Sequence, residues 1–225
     1  MDYSLMAVKL GRRLRSAGVR RTLRDAVVRL RTGRTKDEFD QKYGTDTGGM
    51  VPLWKFKITS PNARFGVIYQ TAGEQEVANA LNALPEAPGD FTFVDVGCGK
   101  GRTLLIAARL GFKQVIGVEF VHELAEVAKK NLQKMQIGNA TVLEMDAAAY
   151  RFPDDDLVVY FCNPFSEEVM SKVIANLRES LAKRIYVVYL APVCAALFDA
   201  SGFLTRLAAT DGERGIQVWK SATQS

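Results

Sequence analysis

The segment Phe91-Thr92-Phe93-Val94-Asp95-Val96-Gly97-Cys98-Gly99-Lys100-Gly101-Arg102 restricts this chain to a narrow class of folds. Its first half is β-branched and aromatic with near-continuous apolarity, the pattern of a strand covered on both faces. Leu104, Leu105, Ala107, Ala108 and Leu110 then supply the buried stripe of a helix. Between strand and helix, Gly97, Gly99 and Gly101 permit positive φ and let a ligand approach the backbone more closely than a Cβ would allow. The N–H groups of such a loop and of the helix start form an electropositive rim, so the turn is expected to hold a nucleotide-like cofactor.

The glycine spacing narrows the choice of cofactor. A dinucleotide fingerprint is G-x-G-x-x-G, with the third glycine needed for close packing of the helix. Here Arg102 stands at that third position and the spacing is G-x-G-x-G. The next strand, Gln114 to Glu119, ends in an acid about 20 residues past the loop, where a ribose-binding carboxylate belongs. A third strand, Ala140 to Glu144, runs into Asp146, a candidate acceptor for an adenine amino group.

Strand and helix continue to alternate. The expected elements are strands at 91–96, 114–119, 140–144, 157–162 and 184–190, with helices at 101–110, 122–136, 166–182 and 193–200. This alternation predicts an α/β, Rossmann-like, doubly wound sheet, mostly parallel, with helices on both faces. Apolar segments 203–208 and 216–220 flank Asp211-Gly212-Glu213-Arg214-Gly215 and read as a closing antiparallel hairpin.

The motifs VDVGCGKGR, VIGVEF, EMDA and FCNPF, in this order, resemble the class I S-adenosylmethionine-dependent methyltransferases, over roughly residues 64 to 220. The resemblance implies a seven-stranded sheet and S-adenosyl-L-methionine as cofactor. It makes Gly97, Gly99, Gly101, Glu119 and Asp146 cofactor-binding, and Asp95 a contact to the methionine end or an organiser of the loop. In related enzymes an aromatic residue before the first domain helix lies against the cofactor, which makes Tyr69 a candidate wall. Asn163-Pro164-Phe165 resembles the (D/N)-P-P-(Y/F) motif of amino-methylating enzymes with one proline missing, and is the candidate catalytic segment. The YGTDTGG run at residues 43–49 resembles the N-terminal extension of a bacterial branch related to the non-SET histone-lysine methyltransferases. The implied acceptor is an amine of a macromolecule, with protein lysine ahead of a nucleic-acid base.

Charge divides the chain. Residues 1–36 carry eleven Lys or Arg against two Asp, a net +9, while the remaining 189 residues carry 19 basic against 23 acidic, a net −4. Residues 4–31 read as one or two arginine-rich helices, so the organisation expected is a basic helical arm at 1–36, a lid or substrate-facing extension at 37–63, and the methyltransferase domain at 64–225. An arm of this charge suits an anionic partner such as RNA, an acidic protein or a membrane surface. Three widely separated cysteines, Cys98, Cys162 and Cys194, fit a reducing cytoplasm better than a disulfide framework or a zinc site. No apolar run reaches the length of a membrane span.

Several residues carry a simpler expectation beside the functional one. Thr71 and Glu74 have the spacing of a capping box. The simpler role for Asp95 is to bond loop amides, for Asp146 to cap a turn, and for Asn163 to cap the helix starting near Ser166. Cys98 is explained by small size and Cys162 by strand packing. His122 is expected to open a helix, and Lys100 and Arg102 to face solvent, with a carboxylate partner as the alternative for each. A non-catalytic cofactor-binding protein whose arm binds RNA or an acidic partner is the main alternative; a nucleotide-dependent oxidoreductase is disfavoured by Arg102 and the terminal hairpin.

Overall fold

The computed structural model describes residues 37–51, 56, 69–162, 165–209 and 215–221. The basic arm, most of the segment between Val51 and Tyr69, Asn163, Pro164 and the hairpin turn lie outside the described residues.

The chain enters through helix α1 (Glu38–Tyr43) and a two-stranded ribbon, β1 (Met50–Val51) antiparallel to β2 (Tyr69–Gln70). The domain proper follows as α2 (Glu74–Asn82), β3 (Thr92–Val96), α3 (Arg102–Arg109), β4 (Gln114–Glu119), α4 (His122–Lys134) and β5 (Ala140–Glu144). After a single 3-10 turn at Ala147–Ala149 come β6 (Leu157–Cys162), α5 (Glu167–Arg178), β7 (Ile185–Leu190), α6 (Ala195–Asp199), β8 (Leu204–Ala209) and β9 (Ile216–Ser221). The main sheet has seven strands in the order β5-β4-β3-β6-β7-β9-β8. Its first five strands are parallel, and β9 runs antiparallel between β7 and β8. Fold class and closing hairpin are thus as the alternation and the resemblance imply.

Two apolar layers hold the sheet, because successive strand residues point to opposite faces. Phe93, Val115, Tyr160 and Val188 meet Val77 and Leu81 of α2, Leu104 and Leu105 of α3, and Ala125 and Ala128 of α4. Val94, Val118, Phe161 and Tyr189 meet Val169, Met170 and Val173 of α5 and Phe198 of α6 on the other face. Every residue of β3 is buried, as the unbroken apolar run requires. Trp219 of β9 is fully buried against Phe198, and its indole N–H donates to Asp199 Oδ1 at 2.8 Å, so the antiparallel strand is locked into the second layer.

One helix start departs from expectation. The N-cap of α2 is Gly73, whose N–H donates to Glu76 Oε2 at 3.2 Å, and not Thr71. The Thr71 hydroxyl is drawn away to the carbonyl of Thr47, at 2.8 Å.

Parallel strands β3 and β6 are neighbours, yet the chain leaves β3 towards β4 and β5 and returns to β6 on the other side. Open sheets bind ligands beyond the carboxyl ends of their strands at such a reversal. The glycine loop, Glu119 and the carboxyl end of β6 at Cys162 all lie at that edge.

Candidate functional site

The loop between β3 and α3 is built as its glycines require. Gly97, Gly99 and Gly101 have φ of 92°, 54° and 83°, where an L side chain is strained. The N–H groups of Gly97 and Cys98 both donate to the carbonyl of Val118, at 2.8 and 3.1 Å, tying the loop to the end of β4. Gly117 lets it lie that low: a Cβ there would stand 2.7 Å from Cys98 Sγ and 2.6 Å from Leu104 Cδ1. Cys98 is buried, and burial pushes its thiol well above the ordinary range, so it fills space as its size suggests.

Two acids sit beneath this loop. Glu119 is 4% exposed and takes the N–H of Gly99 on Oε2 at 2.8 Å and that of Val121 on Oε1 at 2.9 Å. Burial raises its pKa to about 6, against the opposing pull of these amides. Asp95 is 2% exposed, and burial followed by repulsion from Glu119 pushes it up to about 8, with the Thr103 hydroxyl opposing. Two buried carboxyls with raised affinity for protons thus lie at the glycine loop.

Tyr69 forms the wall of the loop. A Cβ on Gly99 would fall 2.2 Å from Tyr69 Cε2, so the ring rests directly on the glycine backbone. Its hydroxyl donates to the carbonyl of Thr47 at 2.5 Å, and its ring packs beside Val121, Leu124, Phe56 and Phe120. Asp146 caps the 3-10 turn by accepting from the N–H of Ala148 at 2.9 Å. Phe165 is 6% exposed within the apolar cluster of Val169 and Met170, which anchors the segment following β6. His122 opens α4, with Nδ1 2.8 Å from Glu144 Oε2.

Lys100 and Arg102 do not face solvent. Arg102 is 7% exposed: Nε donates to Thr47 Oγ1 at 2.8 Å, Nη2 lies 2.6 Å from Asp37 Oδ1, and the guanidinium stacks 4.7 Å above the Phe39 ring. Lys100 Nζ reaches Asp46 Oδ1 at 2.7 Å. The partners are supplied by residues 37–48, some 50 positions earlier, which is why sequence proximity gave no sign of them.

The family described as "Methyltransferase domain" matches residues 93–184, from β3 to the start of β7. Over these residues the chain is similar to that family. Among curated proteins, the ribosomal protein L11 methyltransferase of Thermotoga neapolitana is 39% identical over 160 residues, which cover 59% of each chain. That of Clostridium botulinum strain Eklund 17B is 26% identical over 148 residues, 63% of this chain and 45% of that protein. The chain therefore spans about half the length of these relatives. Among solved structures, a SAM dependent methyltransferase from Aquifex aeolicus superposes with a TM-score of 0.53 at 12% identity, covering 67% of this chain and 98% of that one. The ribosomal protein L11 methylase of Lactobacillus delbrueckii subsp. bulgaricus gives 0.51 at 17%, over 67% and 79%. These structures share the fold.

The matched stretch contains the glycine loop, Glu119, Asp146 and Asn163, but neither Tyr69 nor residues 37–49. Sequence reasoning missed Asp37, Asp40, Thr47 and Asn131. One signal was available: an arginine where a dinucleotide loop needs glycine must either leave the packed helix face or find acids there.

Proposed function

We propose that this protein is an S-adenosylmethionine-dependent N-methyltransferase acting on an amine of a macromolecule, with protein lysine the favoured acceptor. The observation that carries this reading is the pair of buried acids, Asp95 and Glu119, beneath a loop in which Gly97, Gly99 and Gly101 all have positive φ. The residues fit the group: a cationic ligand would offset the charge that Asp95 and Glu119 otherwise suppress by holding protons.

S-adenosylmethionine, when bound, supplies a methyl group already activated on a sulfonium. Glu119 would accept from the ribose hydroxyls through lone pairs not engaged by Gly99 and Val121, since each carboxylate oxygen can accept twice. Asp146 would accept from the adenine amino group while its other bond caps the turn. Tyr69 walls the loop and excludes water from it. The Asn163 side-chain carbonyl would accept from the acceptor's N–H and aim its lone pair, with Pro164 stiffening the turn and Phe165 anchoring it. A lysine must be neutral to attack, because an ammonium has no lone pair, and a desolvated approach lowers its pKa.

The names of the curated relatives, which specify a ribosomal protein, support a protein acceptor. The second reading, a nucleic-acid base, is favoured by the +9 charge of residues 1–36. Calorimetric titration of S-adenosylmethionine and of S-adenosylhomocysteine tests the donor site, and an absence of binding by both refutes it. Tritiated-methyl labelling of a methyl-depleted extract, separated into protein, RNA, DNA and small molecules, tests the acceptor; label confined to RNA or DNA overturns the protein assignment.

A further inference from the structure

Residues 37–49 form a strap folded on a single carboxylate. Asp37 caps α1 by accepting from the N–H of Phe39 at 3.0 Å, and Gly44 ends the helix in the left-handed region. The strap then turns back over Asp40. Asp40 Oδ1 accepts from Thr45 Oγ1 at 2.8 Å, Thr47 N at 2.7 Å and Thr47 Oγ1 at 2.7 Å, while Oδ2 accepts from Gly48 N at 2.7 Å. Burial opposes ionisation of Asp40, but these bonds outweigh it and hold the carboxyl below its ordinary range.

The folded strap grips the glycine loop at three consecutive features. Thr47, fully buried, accepts Arg102 Nε on its hydroxyl and the Tyr69 hydroxyl on its carbonyl, so one residue fixes both the start of α3 and the ring lying on Gly99. Arg102 reaches the strap side through its ion pair with Asp37 and the Phe39 ring, and the α2 side through the carbonyl of Ala72 at 3.4 Å. Asn131 of α4, 4% exposed, clasps the outer edge: Nδ2 donates to the carbonyls of Asp46 and Lys100, each at 3.0 Å, and Oδ1 accepts from the N–H of Asp46 at 3.0 Å.

We propose that Arg102 is a positioning residue that sets donor affinity by pinning the strap, and through Thr47 the Tyr69 wall, to the glycine loop. Arg102 has no direct part in binding the donor. Its planar fork holds Thr47 and Asp37 together, which the point charge of a lysine cannot reproduce. The inference rests on the donor site proposed above and adds that the site is incomplete without residues 37–49.

The test compares full-length wild type with Arg102→Gln, Arg102→Lys and Thr47→Val. Hydrogen exchange of the unliganded proteins is read at Thr47, Gly48 and Gly99 against the amides of β3, β6 and β7, and S-adenosylhomocysteine affinity is measured by calorimetry. The expected result is faster exchange confined to the strap and Gly99 in all three variants, with sheet amides unchanged. Affinity is expected to weaken by about tenfold or more in Arg102→Gln and Thr47→Val, corresponding to at least about 1.4 kcal/mol, and Arg102→Lys should recover little of it. Wild-type exchange at Thr47, Gly48 and Gly99 in Arg102→Gln overturns the inference, whether or not any protein binds the ligand. Unchanged affinity in variants whose strap exchange has risen also overturns it. Failure of wild type to bind, with strap exchange raised in the variants, would instead sink the donor-site reading and leave Arg102 as a loop anchor without effect on affinity, which likewise refutes the proposal. Uniform acceleration across the sheet would mark Arg102 as a general stabiliser and overturn the positioning role.

Discussion

Replacing Asp95 by Asn should remove a pH dependence of stability whose size follows from the environment of that one carboxyl. In the folded protein Asp95 holds its proton to about pH 8, chiefly through burial and then through repulsion from Glu119, against 3.8 for an unperturbed aspartate. Between those values the native state carries a proton that the unfolded chain has released, so stability falls as pH rises, by about 1.4 kcal/mol per pH unit. From pH 5 to pH 7 the loss is about 2 to 3 kcal/mol, and the fall flattens once the folded carboxyl ionises. Asparagine keeps the shape and an acceptor for Thr103 but cannot titrate. Glu119 is retained in both proteins, and its own contribution cancels in the difference. Urea unfolding of both proteins at pH 5, 6 and 7 should therefore show wild type losing ground to the variant by about 2 to 3 kcal/mol over that range. Parallel stabilities across the three pH values would mean that Asp95 is ionised in the fold, and its raised affinity for a proton would be refuted.

Gly99→Ala should lower stability by about 1 to 3 kcal/mol, because the new Cβ meets the Tyr69 ring at 2.2 Å and φ is 54°; combining it with Tyr69→Ala should recover part of that loss, and strict additivity in thermal or urea unfolding would refute the contact. His122, the only histidine in the chain, gives a single imidazole resonance. Its bond to Glu144 raises its pKa above the ordinary value, so an NMR titration should show the midpoint falling in Glu144→Gln, and an unchanged midpoint would remove that ion pair.

What the sequence disclosed was local. The strand, glycine turn and helix from 91 to 110 announce themselves because burial on both faces, positive φ and helical spacing are each written within a few residues. Glu119 was legible for the same reason, standing at a strand end a fixed distance downstream. The strap was not legible, since Asp40, Thr47, Arg102 and Asn131 are joined by hydrogen bonds spanning up to 85 positions, and polar residues in a turn-rich stretch look alike whether they face water or one another. Thr71 shows how such a bond overrides a local rule: its hydroxyl has the spacing to cap α2 and is taken by Thr47 instead.

The insertion of β9 between β7 and β8 imposes an order on the birth of the protein. Both neighbours of β9 leave the ribosome before the strand that joins them, so β8 emerges with no partner to pair with and β7 waits with one edge bare. The apolar residues meant for Trp219, Phe198 among them, stay uncovered during that interval. A chain stopped between Ala209 and Ile216 loses more than β9: it exposes two unpaired edges at once, one of them on a strand whose every residue belongs in the core. Premature termination late in this message would thus yield a sticky product, and a cell would have reason to destroy it.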